Sequence, residues 1–272
     1  MTPASPPPPP TPRAPGRTGG RQDREPVLSV VIPAYQEAGR LPATVERIVA
    51  WLADRRDWLP SEIVVVDDGS SDGTERAVPT ATPPGVEVRF LRHPVNRGKG
   101  AAVRTGMAAS RGRWVLISDA DLASPIEELE RLREASGPRT VVAGSRAVDR
   151  RLIQRRQPWY RDLMGRGFNL LVRLLAGETV HDTQCGFKLL PGELARRLAA
   201  VQRLDGFAFD VELLARARRL GFSVAEVGVR WSHVEASRVS PVRHSLQMFR
   251  DILRIATWRV TGELARDGEI PR

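Results

Sequence analysis

Five short apolar runs, each followed by a polar or charged turn, limit what this chain can fold into. Val27 to Ile32 is a nearly continuous apolar strand ended by Pro33, with the polar loop Ala34-Tyr35-Gln36-Glu37 behind it. Leu41, Val45, Ile48, Val49 and Leu52 then recur at helical spacing. Ile63 to Val66 ends in Asp67-Asp68-Gly69-Ser70-Ser71-Asp72-Gly73-Thr74, where Ser, Asp and Thr are expected to open a helix. Val86 to Leu91 leads through Asn96-Arg97-Gly98-Lys99-Gly100 to a helix from Ala101 to Ser110. Trp114 to Ile117 delivers Asp119 and Asp121 at its carboxyl end, and Ser124-Pro125 has the form of an N-cap and first helical turn. Val141 to Ala143 runs into Gly144-Ser145-Arg146.

Strands and helices alternating in this way predict an α/β fold with a Rossmann-like, mostly parallel sheet flanked by helices. In open sheets of this kind ligands bind outside the carboxyl ends of the strands. Acidic or basic groups stand at that end of four of the five strands, which describes a ligand crevice along one sheet edge.

Within the crevice, Asp119-Ala120-Asp121 suits a hard divalent cation, Mg²⁺ or Mn²⁺, that also holds phosphate oxygens. The alternative for these three residues alone is a solvated acidic turn. Gly98-Lys99-Gly100 before a helix offers backbone amides and a cation to an anion, without the spacing of a P-loop. The formal net charge of +10 is concentrated: Arg146 to Arg166 holds seven Arg against Asp149 and Asp162. Such a stretch fits a phosphorylated substrate or anionic headgroups. Aromatic residues are not interleaved with the cations and no DNA-reading motif is present, so nucleic acid is not an expected partner.

After Arg146 the pattern changes. Met164, Phe168, Leu171, Val172 and Leu175 share one helical face, and Leu246, Phe249, Leu253, Ala256 and Val260 share another, with Arg250, Arg254 and Arg259 beside it. These C-terminal amphipathic helices either pack on the core or lie in a membrane surface. Phe187 to Leu190 and Val224 to Val229 read as strands, and Phe209 to Leu220 as a helix bearing Asp210 and Glu212. No run approaches the ~20 apolar residues that span a bilayer, no signal-peptide core is present, and the single Cys185 excludes an internal disulfide framework. A cytoplasmic protein, peripheral at the cytoplasmic face of a membrane, is the expectation. Residues 1–25, rich in Pro, Gly, Arg and Thr, are expected to form a disordered tail.

Taken together, Val31-Ile32-Pro33-Ala34-Tyr35-Gln36-Glu37, the Asp67–Thr74 segment and Asp119-Ala120-Asp121 resemble a family 2 glycosyltransferase of GT-A fold. Asn96 to Gly106, Asp182 to Leu190 and Phe207 to Leu214 narrow the resemblance to dolichyl-phosphate or polyprenyl-phosphate β-glucosyltransferases, related to dolichyl-phosphate mannose synthases. The resemblance implies a single GT-A domain over 26–266. Its 26–146 part would bind a nucleotide sugar, and its 147–266 part a polyprenyl or dolichyl phosphate. It implies an inverting, metal-assisted transfer of a hexose, with UDP-glucose favoured by Asp182-Thr183-Gln184-Cys185-Gly186-Phe187-Lys188 and GDP-mannose as the alternative. Pro33, Tyr35, Glu37, Asp68, Lys99, Asp119 and Ala120 would face the donor, with Asp68 accepting from the base. Asp121 would be the direct metal ligand, with Asp119 nearer the ribose and metal. Arg146 and Arg161 would face the phosphates of donor and acceptor, with Asp182 and Asp210 bordering the acceptor side. Two features depart from the family: Ala123 stands where mannose synthases commonly carry Gln, and the transmembrane anchor of many eukaryotic members has no counterpart. A different class, the sugar nucleotidyltransferases, would open with a Gly-rich, Arg-containing loop where Pro33 to Glu37 stands.

Overall fold

Seven strands form one sheet in the order β3-β2-β1-β4-β7-β5-β8. The structure is a computed structural model describing residues 25–79, 81–155, 167, 169–175, 177, 179–233 and 241–266. The strands are β1 (Leu28–Ala34), β2 (Ser61–Asp67), β3 (Val86–Arg92), β4 (Trp114–Ile117), β5 (Thr140–Ser145), β7 (Lys188–Pro191) and β8 (Ser223–Gly228). Only β7 runs antiparallel, between β4 and β5. The part of the chain beyond residue 146 therefore completes the same sheet as the part before it. A two-stranded ribbon of β6 (Ile153–Arg155) and β9 (Trp231–Ser232) stands beside this sheet.

Helices cover both faces, which is why the strands carry apolar residues in both directions. Val30, Ile32, Ile63 and Val65 face a core closed by α1 (Leu41–Ala53) and α3 (Leu129–Glu134). Val31, Val64 and Val66 face the other, closed by α2 (Lys99–Ala109), α5 (Gly192–Val201) and α6 (Phe209–Arg219). Residues 169–175 are helical (α4). Val172 of α4 joins Ile252 and Ile255 of α7 (Pro241–Thr261) and Leu264 of α8 (Glu263–Arg266) in a third cluster against α6.

Three local expectations change. β1 does not stop at Pro33 but continues to Ala34. Val31 bonds toward β4, accepting from the Ser118 amide, so Pro33 faces the same side two residues on, where β4 has already ended. The missing amide therefore costs no ladder bond. The segment after Gly73 makes only a 3₁₀ turn, Thr74–Ala77, with Pro79 soon after. The Asp72 and Thr74 side chains instead accept from the amides of Ala38 and Glu37. Ser124 caps no helix; Pro125 precedes a 3₁₀ turn, Ile126–Glu128, that runs into α3. The helix α5 and the ribbon β6–β9 had no counterpart in the sequence reading. The expected tail over 1–25, apart from Glu25, lies outside the described residues, as do Arg161, Met164 and Phe168.

Candidate active site

The carboxyl ends of β1, β2 and β4 meet along one edge, and three loops there are tied side chain to backbone. The Gln36 amide donates to Ser70 Oγ, and Gln36 and Leu122 hold left-handed φ values of 58° and 46°. Such conformations cost about 1–3 kcal/mol in a non-glycine residue and persist where surrounding structure enforces them. Leu122 follows Asp121 directly, and Asp121 Oδ1 accepts from the Ala123 amide, so the acidic turn is closed on itself. Thr44 Oγ1 of α1 donates to the Ala120 carbonyl, fixing that turn to the scaffold.

Asp119 and Asp121 line a cavity of about 130 Å³ together with Ser118, Arg146, Gln184, Gly186 and Trp231 among others. Lys99 Nζ, at the first position of α2, lies 2.6 Å from Asp119 Oδ1. Burial opposes the charges of both, but each outweighs that effect on the other. The Asp119 carboxyl falls below the usual range, aided by Lys188 and Arg146, and Lys99 rises above its own. Asp121 shifts the other way, because burial and the Asp119 charge both disfavour its ionised form. The two acids thus differ: Asp119 is ion-paired to Lys99, and Asp121 makes no ion pair among the described residues.

Arg146 leaves the end of β5 and meets Asp182 in a two-pronged pair, Nε to Oδ2 at 2.6 Å and Nη2 to Oδ1 at 2.7 Å. Its guanidinium also lies over the Trp231 ring, 5.4 Å from the centroid. Asp182 and Asp210, expected at the acceptor side, are each 2% exposed and neither lines the cavity. Asp182 positions Arg146, and Asp210 accepts from the buried Lys188 Nζ at 2.6 Å. Both carboxylates are engaged with cations of their own chain.

Asp68, expected to accept from the base, makes several contacts within the chain. It is 2% exposed, with Oδ1 facing His93 Nδ1 at 2.7 Å and accepting from the Arg97 amide, and Oδ2 accepting from the Gly98 amide at 2.7 Å. Its carboxylate anchors the loop before α2. Gly98 has φ of 114°, and a Cβ there would lie 2.3 Å from the Asp205 carbonyl oxygen. The Gly98 amide goes to Asp68 and the Ala101 amide to the Asp205 carbonyl, and Lys99 is the cation this loop offers an anion.

Among the remaining donor-side candidates, Pro33 is buried in β1 and Tyr35 is exposed. Glu37 pairs with Arg40, whose charge also acts on Asp119 and Asp121. Sequence reasoning gave no role to Arg40, Lys188, Gly186 or Trp231. Lys188 and Gly186 stood within a quoted motif; Arg40 and Trp231 carried no signal, since only the fold brings them to this edge.

A mostly parallel α/β sheet flanked by helices, with a paired carboxylate turn at the end of β4, has the GT-A architecture. The family model described as Glycosyl transferase family 2 matches residues 29–198. Among similar curated proteins, a dolichyl-phosphate beta-glucosyltransferase of Dictyostelium discoideum is 37% identical over 240 residues, covering 84% of this chain and 73% of its own. One of the same description from Homo sapiens is 37% identical over 248 residues, covering 86% and 76%. A crystal structure of glucosyl-3-phosphoglycerate synthase from Mycobacterium tuberculosis, with Mn²⁺, UDP-glucose and glycerol 3-phosphate, superposes with a TM-score of 0.59 at 22% identity, covering 91% of this chain and 82% of that one. That likeness concerns the fold. The chain belongs to glycosyltransferase family 2.

Proposed function

We propose that the enzyme transfers glucose from UDP-glucose to the phosphate of a dolichyl or polyprenyl lipid, inverting the anomeric carbon. The observation that carries this reading is the 37% identity, over 84% and 86% of the chain, to two relatives named for that reaction.

The site's chemistry agrees. Asp121 and Asp119 offer hard oxygen donors, and Ser118 Oγ in the same cavity is buried without a partner among the described residues. This donor set fits Mg²⁺ or Mn²⁺ better than zinc. Held chiefly by Asp121, such an ion would neutralise charge that grows on the diphosphate as it leaves. Lys99 adds a second positive charge on that side, and Tyr35 and Glu37 border the space for the nucleoside.

The acceptor needs no general base. The second pKa of a phosphate monoester is about 6, so the lipid phosphate is largely a dianion at pH 7. The task is to hold that dianion beside a negatively charged donor, and Arg suits it because its charge is permanent and its fork matches phosphate oxygens. Arg146, oriented by Asp182 and Trp231, takes this role, with Arg161 as a second cation.

The lipid is proposed to arrive along the exposed apolar face of α4 and α7. Leu170 and Leu174 of α4 and Leu246, Phe249, Leu253 and Val260 of α7 are all exposed, with Arg250 and Arg254 beside the α7 stripe. Gln184 of the cavity approaches Met248 on the inward side of α7, with Nε2 3.9 Å from Sδ, so this helix packs beside the site. No helix among the described residues is long and apolar enough to cross a membrane. Peripheral attachment at the cytoplasmic face follows as part of the proposal.

The test is transfer from a panel of radiolabelled nucleotide sugars into a polyprenyl phosphate in detergent micelles. Label from UDP-glucose should enter the lipid extract. Transfer from GDP-mannose alone would replace the donor, and no transfer from any donor would defeat the reading.

A further inference from the structure

Asp119 is neutralised before any ligand arrives. Lys99 Nζ sits 2.6 Å from Oδ1, and the charges of Lys188 and Arg146 act on the same carboxylate. Asp121 keeps one oxygen on the Ala123 amide. No group of three or more His, Cys, Asp or Glu able to hold a metal occurs among the described residues, and Ala123 adds no third ligand. A divalent cation entering alone would meet one open carboxylate, one occupied carboxylate and an ammonium group beside them, which repels it. A nucleoside diphosphate changes both conditions, since its phosphates can ligate the metal and can also accept Lys99.

We propose that Lys99 is a resident counter-cation that blocks divalent metal from Asp119 until a nucleoside diphosphate draws its ammonium away. The site would then bind metal and nucleotide as a unit and not metal alone. This rests on the metal-assisted reading above. The architecture permits the exchange: the backbone around Lys99 is fixed, through Gly98 to Asp68 and through Ala101 to Asp205, while its ammonium stands on an unbranched four-carbon side chain that is partly exposed. Binding of the two ligands must then be coupled, and coupling is reciprocal: each tightens the other by the same factor.

The test is Mn²⁺ binding to the full chain, read from the free-ion signal in electron paramagnetic resonance, with and without saturating UDP. Lys99→Met, Lys99→Arg and Asp119→Asn are compared, with circular dichroism as the check on folding. Wild type should bind Mn²⁺ at least about ten-fold tighter with UDP than without it. Lys99→Met should bind Mn²⁺ alone about five-fold tighter than wild type or better, and its UDP effect should shrink. Lys99→Arg should behave as wild type, and Asp119→Asn in the Lys99→Met background should remove the gain. Equal Mn²⁺ affinity with and without UDP in wild type would overturn the proposal. So would folded Lys99→Met with unchanged affinity for Mn²⁺ alone, with Lys99→Gln as a second neutral variant if Met does not fold. Absence of Mn²⁺ binding even with UDP would remove the metal-assisted reading itself, a distinguishable result.

Discussion

Gly186 lies directly beneath the Asp119 carboxylate: a Cβ at that position would stand 2.2 Å from Oδ2 and 2.5 Å from Oδ1. Its φ is not in the left-handed region, so alanine can adopt the backbone there. The constraint is space, and the group that must yield is Asp119. Gly186→Ala is expected to leave the fold intact and to lower kcat/KM by about a hundred-fold, the cost of an ångström of misplacement at a reacting site. Steady-state kinetics beside a melting curve checks this.

Arg146 and Asp182 make the second test. Arg146→Lys keeps the charge but loses the fork that meets Asp182 at two points. The expected loss is about 1.5–3 kcal/mol, or roughly ten- to hundred-fold, and it should appear in KM for the lipid phosphate rather than for the nucleotide sugar. Asp182→Asn should act in the same direction through Arg146. Equal effects on both substrates would contradict the assignment of Arg146 to the acceptor.

Cys185 gives a dependence on pH. Its thiol is 3% exposed, and burial together with the Asp182 charge pushes its pKa up to about 11 from 9.0. The unfolded chain ionises first as pH rises, so it binds fewer protons than the folded one there, and stability falls with pH. The contribution is complete below pH 9 and declines between 9 and 11, by on the order of 2–3 kcal/mol. Cys185→Ser, which does not titrate there, should flatten the alkaline side of the stability curve relative to wild type. The native thiol should also resist alkylation at pH 8. Rapid labelling would contradict the burial.

For the membrane face, the measurement is flotation with vesicles containing anionic lipid. Leu174, 72% exposed, and Phe249, 40% exposed, project from two helices that pack on each other through Val172, Ile252 and Ile255. Leu174→Glu and Phe249→Glu should each reduce flotation and slow turnover on vesicle-borne acceptor, while leaving turnover on a short water-soluble polyprenyl phosphate near wild type. Unchanged flotation in both would remove this face from the account.

Much of the fold was legible because buried parallel strands are short apolar runs whatever their partners. Trp114–Ile117 was read with its observed bounds, and β1, β2, β3, β5 and β8 to within two residues at either end. The insertion of β7 between β4 and β5 was not legible, since strand order depends on pairing that a local pattern does not encode. The helix expected after Thr74 failed because Asp72 and Thr74 spend their side chains on the neighbouring loop. At the site, Asp119, Asp121, Lys99 and Arg146 come together as the motifs implied. What the sequence hid was division of labour. Asp68, Asp182 and Asp210 look like ligand-facing acids in a motif, yet each is buried against His93, Arg146 or Lys188. Only packing distinguishes a carboxylate that meets substrate from one that positions a cation.

The bond made in the reaction, a β-glucosyl phosphate ester, can be read from the product itself. Wild type and Asp121→Asn are incubated with UDP-glucose, Mg²⁺ and a defined polyprenyl phosphate, and the lipid product is resolved by mass and by the anomeric proton coupling. The account requires a glucosyl phosphate lipid of β configuration with release of UDP, and a loss of at least about 10²–10³ in turnover for folded Asp121→Asn. An α-configured product, or free glucose with no glycolipid, would contradict it.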